Sequence, residues 1–164
     1  MPRKVKVTLP DGKQVECDPG TTILEILGSG MEPGEPLVSL VDGEVAELTK
    51  MIHYDVNITP ITIRNPLGVR AYMRSLSFVL IRAVKDIFPE AKVTIEHSLG
   101  KGIYGEIHYS RKINAQDIEI IKKRMRKIVN NNEKIEKIKV KREEAIKIFA
   151  AYGMADKLRL LKHI

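Results

Sequence analysis

The 164 residues are 43% hydrophobic and 30% charged, with a formal net charge of +7. This is a globular balance, long enough for one large domain or two small ones. The longest apolar stretch, Phe78 to Ile81, is cut by Arg82, far short of the ~20 apolar residues of a membrane helix, and the single cysteine, Cys17, excludes an internal disulfide or a cysteine-based metal cluster.

Met1-Pro2-Arg3-Lys4 runs directly into an alternating pattern rather than an apolar signal segment, so a cytoplasmic protein without membrane contact is expected. Val5, Val7 and Leu9 alternate with polar residues, Pro10-Asp11-Gly12 turns the chain, and Gln14 to Cys17 returns as the second arm of a β-hairpin. Cys17 then reads as a half-buried strand residue. Thr21 or Thr22 can cap a short helix over Ile23, Leu24, Ile26 and Leu27 that Gly28 ends. Gly30 to Pro36 is a loop, Leu37 to Val41 a strand, Asp42-Gly43 a tight turn, and Val56 to Ile63 a late strand.

From Arg70 to Phe88 the period becomes helical, with Tyr72, Leu76, Val79, Leu80, Ala83, Val84 and Ile87 on one broad apolar face and Pro89 as the stop. Lys92 to Ile95 and Ile103 to His108 read as strands around a glycine loop, His97 to Gly102. Asn114 and Asp117 resemble a capping pair for a helix carrying Ile118, Ile121, Met125 and Ile128. Ile138 and Val140 fit a strand, Glu143 to Tyr152 a helix closed by Gly153, and a short helix the last residues.

Charge is divided along this path. Residues 1–62 hold five Lys/Arg against ten Asp/Glu, net −5, whereas 63–164 hold 23 against 11, net +12. Together with the change of pattern at Arg64-Asn65-Pro66-Leu67-Gly68, this predicts two domains, 1–63 and 64–164. The basic one carries Lys122, Lys123, Arg124, Arg126 and Lys127 on a single helix, a candidate nucleic-acid patch that would bind in a salt-sensitive way. A solvated helix face explains the same residues.

Val5-Lys6-Val7-Thr8-Leu9-Pro10-Asp11-Gly12 and Leu40-Val41-Asp42-Gly43-Glu44 resemble the TGS domain, a β-grasp module without catalytic residues found in threonyl-tRNA synthetases, certain GTPases and stringent-response synthetases. The helix at 70–88, Ile95 to Glu106 and the run Arg142 to Gly153 resemble the second additional domain of threonyl-tRNA synthetase, the editing region. Both resemblances imply an α+β fold, a β-grasp domain followed by an editing-domain-like one. In that family the long helix carries HxxxH, two histidines that a spacing of four places on one face. Here those positions hold Arg74 and Phe78. Arginine keeps its proton and phenylalanine has no heteroatom, so neither serves as a base or a metal ligand. The family's later segment with Cys and His has no counterpart among these residues.

Arg74-Ser75-Leu76-Ser77-Phe78 with Glu96-His97-Ser98-Leu99-Gly100-Lys101-Gly102 looks most like the amino-terminal region of bacterial uridine kinase-like proteins, which implies a fragment or relative of a longer ATP-dependent phosphotransferase. The kinase motif GxxxxGK followed by Ser or Thr is missing: Gly102 follows Lys101, and Ile95 stands where the first glycine is required. ATP and magnesium would therefore enter only through a P-loop kinase domain that this chain does not contain, and no cofactor is expected here.

Arg74, Ser75, Ser77, His97, Ser98 and Lys101 could form an anion pocket if the glycine loop packs near the helix. His53, His97, His108 and His163 are too dispersed for a metal site, and no catalytic set emerges. The expected role is a non-catalytic, regulatory module that binds RNA such as tRNA, a nucleotide, or a partner domain. The alternatives are a divergent aminoacyl-tRNA editing hydrolase and a structural docking or oligomerisation module for a kinase domain.

Overall fold

The computed structural model describes residues 3–28, 35–99 and 102–161, with only the backbone of 97–99 and 156. The loop expected from Gly30 to Pro36 lies mostly outside the described residues. The fold is α+β, and the chain divides into two compact units, Met1–Asn130 and Asn131–Ile164.

The chain begins with β1 (Val5–Thr8), β2 (Gln14–Cys17), β3 (Thr21–Thr22) and α1 (Ile23–Leu27), and continues with β4 (Val38–Val41), β5 (Glu44–Ala46), β6 (Met51–Ile52) and β7 (Val56–Ile61). Five strands form one sheet in the order β2-β1-β7-β4-β5, with β1 and β7 parallel and the remaining neighbours antiparallel. Alternation sets the faces: Val5 and Val7 are buried while Lys6 between them is exposed. The short β3–β6 pair was not anticipated, because two residues give no visible period. Thr22 caps α1 in a reciprocal box with Glu25, whose carboxyl those hydrogen bonds hold below its usual range. Asp42 (φ 48°) and Gly43 (φ 89°) both occupy the left-handed region that a tight two-residue hairpin requires. Val5, Val7, Ile23, Val41, Ala46, Ile52, Val56 and Ile58 close a single core, with Cys17 packed at its margin.

Next come α2 (Pro66–Ile87), β8 (Lys92–Leu99), β9 (Gly102–His108) and α3 (Ala115–Asn130). The helix starts earlier than its apolar period indicates. Asn65 accepts a hydrogen bond from the Leu67 N–H at 2.9 Å, and Pro66 occupies the first turn, where no N–H is needed. Gly68 is essential there, because a methyl group at that position would overlap the Thr62 carbonyl. Tyr72, expected in the apolar face, is exposed, while Ala83 and Val84 form the buried stripe. The strand β8 also continues through His97 to Leu99, after a register shift between Ile95 and Ser98, so these residues belong to the hairpin arm rather than to its loop.

A second core joins Ala83, Val84, Phe88, Ala91, Ile121 and Ile128. At its edge Arg111 makes two hydrogen bonds to Asp117, at 2.6 and 2.9 Å, and lies over the rings of Phe88 and Tyr109. The expected Asn114–Asp117 pair forms: the Asn114 N–H donates to Asp117 at 2.9 Å, and the Asp117 N–H donates to Asn114 at 3.0 Å. The Arg111 guanidinium, followed by the Asn114 N–H, lowers the carboxyl of Asp117 to about 2.

In the second unit, α4 (Arg142–Ala151) and α5 (Ala155–Leu161) are joined through Gly153 at φ 64°. Arg142 donates to the Leu161 carbonyl. The strand expected at Ile138 and Val140 does not form. Both side chains are exposed, and no neighbouring strand supplies ladder hydrogen bonds among the described residues.

Candidate ligand groove and basic helix face

A spacing of four along α2 places Arg70, Arg74 and Phe78 in one line on the helix surface. That line borders a groove of about 920 Å³ between α2 and the β8–β9 hairpin. Arg64, Arg70 and Arg74 supply its charge, and Val69, Met73, Phe78, Ile81, Ile95 and Ile103 supply most of the rest; among the described residues no acidic side chain lines it. Arg64, Arg70 and Arg74 make no ion pair among the described residues. Phe78 is 60% exposed at the same border.

The anticipated anion cluster is placed only in part. Arg74 and Ser77 line the groove, and the Ser77 hydroxyl donates to the Met73 carbonyl at 2.9 Å, leaving its lone pairs as acceptors. Ser75 is exposed and does not line the groove. The side chains of His97 and Ser98, and all of Lys101, lie outside the described residues. Arg64 and Arg70 were missed. One sat in the expected linker and the other at the expected helix start, although the Arg-x3-Arg-x3-Phe spacing was there to be read.

The five cations of α3 are not equivalent. Arg124 is turned inward, its side chain 19% exposed, and contacts Asp86 of α2 at 2.6 and 2.7 Å. Partial burial opposes ionisation of Asp86, but hydrogen bonds from Arg124 and Arg82 outweigh it and hold the carboxyl below its ordinary range. Arg124 therefore joins two helices and is removed from the patch. Lys122 reaches Glu119 at 2.7 Å and remains half exposed. Lys123, Arg126 and Lys127 are exposed and make no ion pair among the described residues.

His108 lies 3.3 Å from Glu106 and 3.2 Å from Thr94 on the outer face of the hairpin. Tyr104 donates to the other oxygen of Glu106 at 2.7 Å, which raises the phenol pKa. Thr94 and Glu106 meet the same ring nitrogen of His108, Nε2, whereas a nucleophile–histidine–carboxylate set uses both nitrogens. Among the described residues no group of three or more His, Cys, Asp or Glu side chains could hold a metal ion. No helix among them is long and apolar enough to cross a membrane.

Against known proteins, the chain is 32% identical over 163 residues to a threonine--tRNA ligase of Paraburkholderia phymatum, a match that covers 98% of this chain and 26% of that protein. Its relatives are threonine--tRNA ligases. The ligase of Methylococcus capsulatus is 32% identical over 161 residues, covering 96% of this chain and 25% of the relative. That of Acetivibrio thermocellus is 31% identical over 163 residues, covering 98% and 26%. The chain thus spans about a quarter of the length of these curated relatives. No family model matches it. The expected likeness to threonyl-tRNA synthetase extends over nearly the whole sequence.

Proposed function

We propose that the chain is a non-catalytic RNA-binding module, with tRNA as the natural candidate given the name its relatives bear. The observation that carries this reading is the set Lys123, Arg126 and Lys127. These are exposed cations that make no ion pair among the described residues, on one helix of a segment whose net charge is +12. On this reading residues 1–63 are a TGS-like β-grasp domain and 64–164 an editing-domain-like one with degenerate chemistry. The separate cores at 5–58 and 83–128 support a boundary between them, whereas residues 131–164 form a compact unit of their own. Arg74 and Phe78 cannot perform editing hydrolysis, because neither accepts a proton at neutral pH.

The run Arg74 to Phe78 supports a finer reading, in which the chain is the regulatory amino-terminal part of a cytoplasmic uridine kinase-like protein. ATP and magnesium would then be bound by a kinase domain elsewhere. Binding to total tRNA, followed by fluorescence anisotropy across a salt series, tests the RNA reading. The wild-type chain is expected to bind saturably at physiological salt. Replacing Lys123, Arg126 and Lys127 by glutamine should reduce the slope of log K against log salt by about 2 to 3. Equal slopes for both proteins, or no wild-type binding, would overturn it.

A further inference from the structure

We propose that the RNA-contacting face of α3 extends across its seam with α2 to Arg82, a guanidinium that Asp86 holds in position for a backbone phosphate. This rests on the RNA reading above and adds a second helix to it. The Asp86 carboxylate divides between two arginines: Oδ2 accepts from Nη2 and Nε of Arg124 at 2.6 and 2.7 Å, and Oδ1 meets Nε of Arg82 at 2.9 Å. The two arginines differ in exposure. Arg124, with its side chain 19% exposed, fixes the carboxylate from α3, whereas Arg82 stands 63% exposed on α2. The contact with Asp86 uses Nε of Arg82 and not the terminal N–H groups, which suit a phosphate oxygen.

Arg82 is brought level with the lysines of α3 by the way the helices pack. Phe88, which caps the end of α2, lies under Arg111, and Arg111 holds Asp117 in the first turn of α3. The end of one helix thus meets the start of the other, and the two run antiparallel. From the Asp86–Arg124 contact, one turn back along α2 reaches Arg82 and one turn forward along α3 reaches Lys127. Ala83, Ile121 and Ile128 occupy the core side of this seam, and Arg82, Lys123 and Lys127 its solvent side. In the described ion pairs one carboxylate, Asp86, serves two guanidiniums, so the seam keeps positive charge, to which Lys123 and Lys127 add. The stripe Ser75, Val79, Arg82 and Asp86 lies on a different side of α2 from Arg70, Arg74 and Phe78. Neither that stripe nor α3 holds an aromatic residue, so bases find no stacking platform and the contact falls on phosphates whatever the sequence.

Fluorescence anisotropy of total tRNA with the whole chain, across a salt series, tests this on variants whose folding is checked by circular dichroism melts. Arg82→Gln should weaken binding about fivefold at physiological salt and reduce the slope of log K against log salt by about 1, the signature of one lost phosphate contact. Arg82→Lys should keep the slope, because the charge remains, while losing part of the affinity with the guanidinium. Asp86→Asn separates positioning from bulk charge. It removes a negative charge, which alone would tighten binding, whereas release of Arg82 from its anchor should weaken it about twofold or more. An unchanged slope for Arg82→Gln, or binding by Asp86→Asn as tight as that of the wild type or tighter, would overturn the proposal and leave the lysine face of α3 standing. Absence of wild-type binding would overturn the RNA reading and this site with it.

Discussion

The β-grasp and the region that follows it differ in how completely their helices are used. In the first, six elements converge on one core, and α1, the only helix among its described residues, contributes Ile23 to its centre. In the second, the core gathers around the carboxy-terminal half of α2, at Ala83, Val84 and Phe88, while the first three turns bury only Gly68. Val69 and Tyr72 are left exposed there, as is Phe78 in the fourth turn, and Arg70 and Arg74, which make no ion pair among the described residues, stand among them. A core that covers half of a helix leaves the other half as surface, and the lesson is that chemistry is to be sought on that half.

Four changes sharpen or break this contrast. The largest effect is expected from Ile58→Ala: Ile58 is 0% exposed, and truncation at such a site costs about 2 to 5 kcal/mol. Phe78→Ala, by contrast, should stay within about 0.5 kcal/mol. Urea denaturation of the two variants measures the difference, and similar losses would mean that Phe78 belongs to a core after all. Next, Gly68→Ala should destabilise by about 1 to 3 kcal/mol despite alanine's higher helix propensity, because the methyl group meets backbone rather than a movable side chain. A stabilised variant would show that the start of α2 adapts.

A pH-dependent effect is expected from Asp117→Asn. The Asp117 carboxyl is lowered to about 2 from its usual 3.8, so its contribution to stability is complete above about pH 4 and disappears as pH falls through 2. The gap in melting temperature between wild type and variant should therefore narrow between pH 5 and pH 2. A constant gap would assign the effect to packing around Arg111 instead.

Much of this architecture was legible in the sequence because local signals coincided with tertiary ones. Val5 and Val7 alternate into the core they predict, Asp42-Gly43 makes the turn its residues favour, and Asn114 caps the helix it precedes. Two failures share a cause. The early start of α2 depends on Asn65 and Pro66, whose helical role shows only when capping is weighed above apolar period. The absent strand at Ile138 and Val140 shows the reverse, since an apolar pattern specifies a strand only where a partner edge exists. At the site, Arg74 and Phe78 were found through resemblance, while Arg64 and Arg70 required the groove to be seen. Charge counting alone also overstated the α3 patch, because Arg124 serves an internal ion pair.

The junction between the β-grasp and α2 has a mechanical consequence. Asn65 donates to the Thr62 carbonyl at 3.1 Å while its side chain caps the helix, and Gly68 packs against that same carbonyl. The end of the sheet and the start of the helix thus share one acceptor, so a substitution that shifts the Thr62 carbonyl is expected to displace Arg70 and Arg74, one and two turns further along α2.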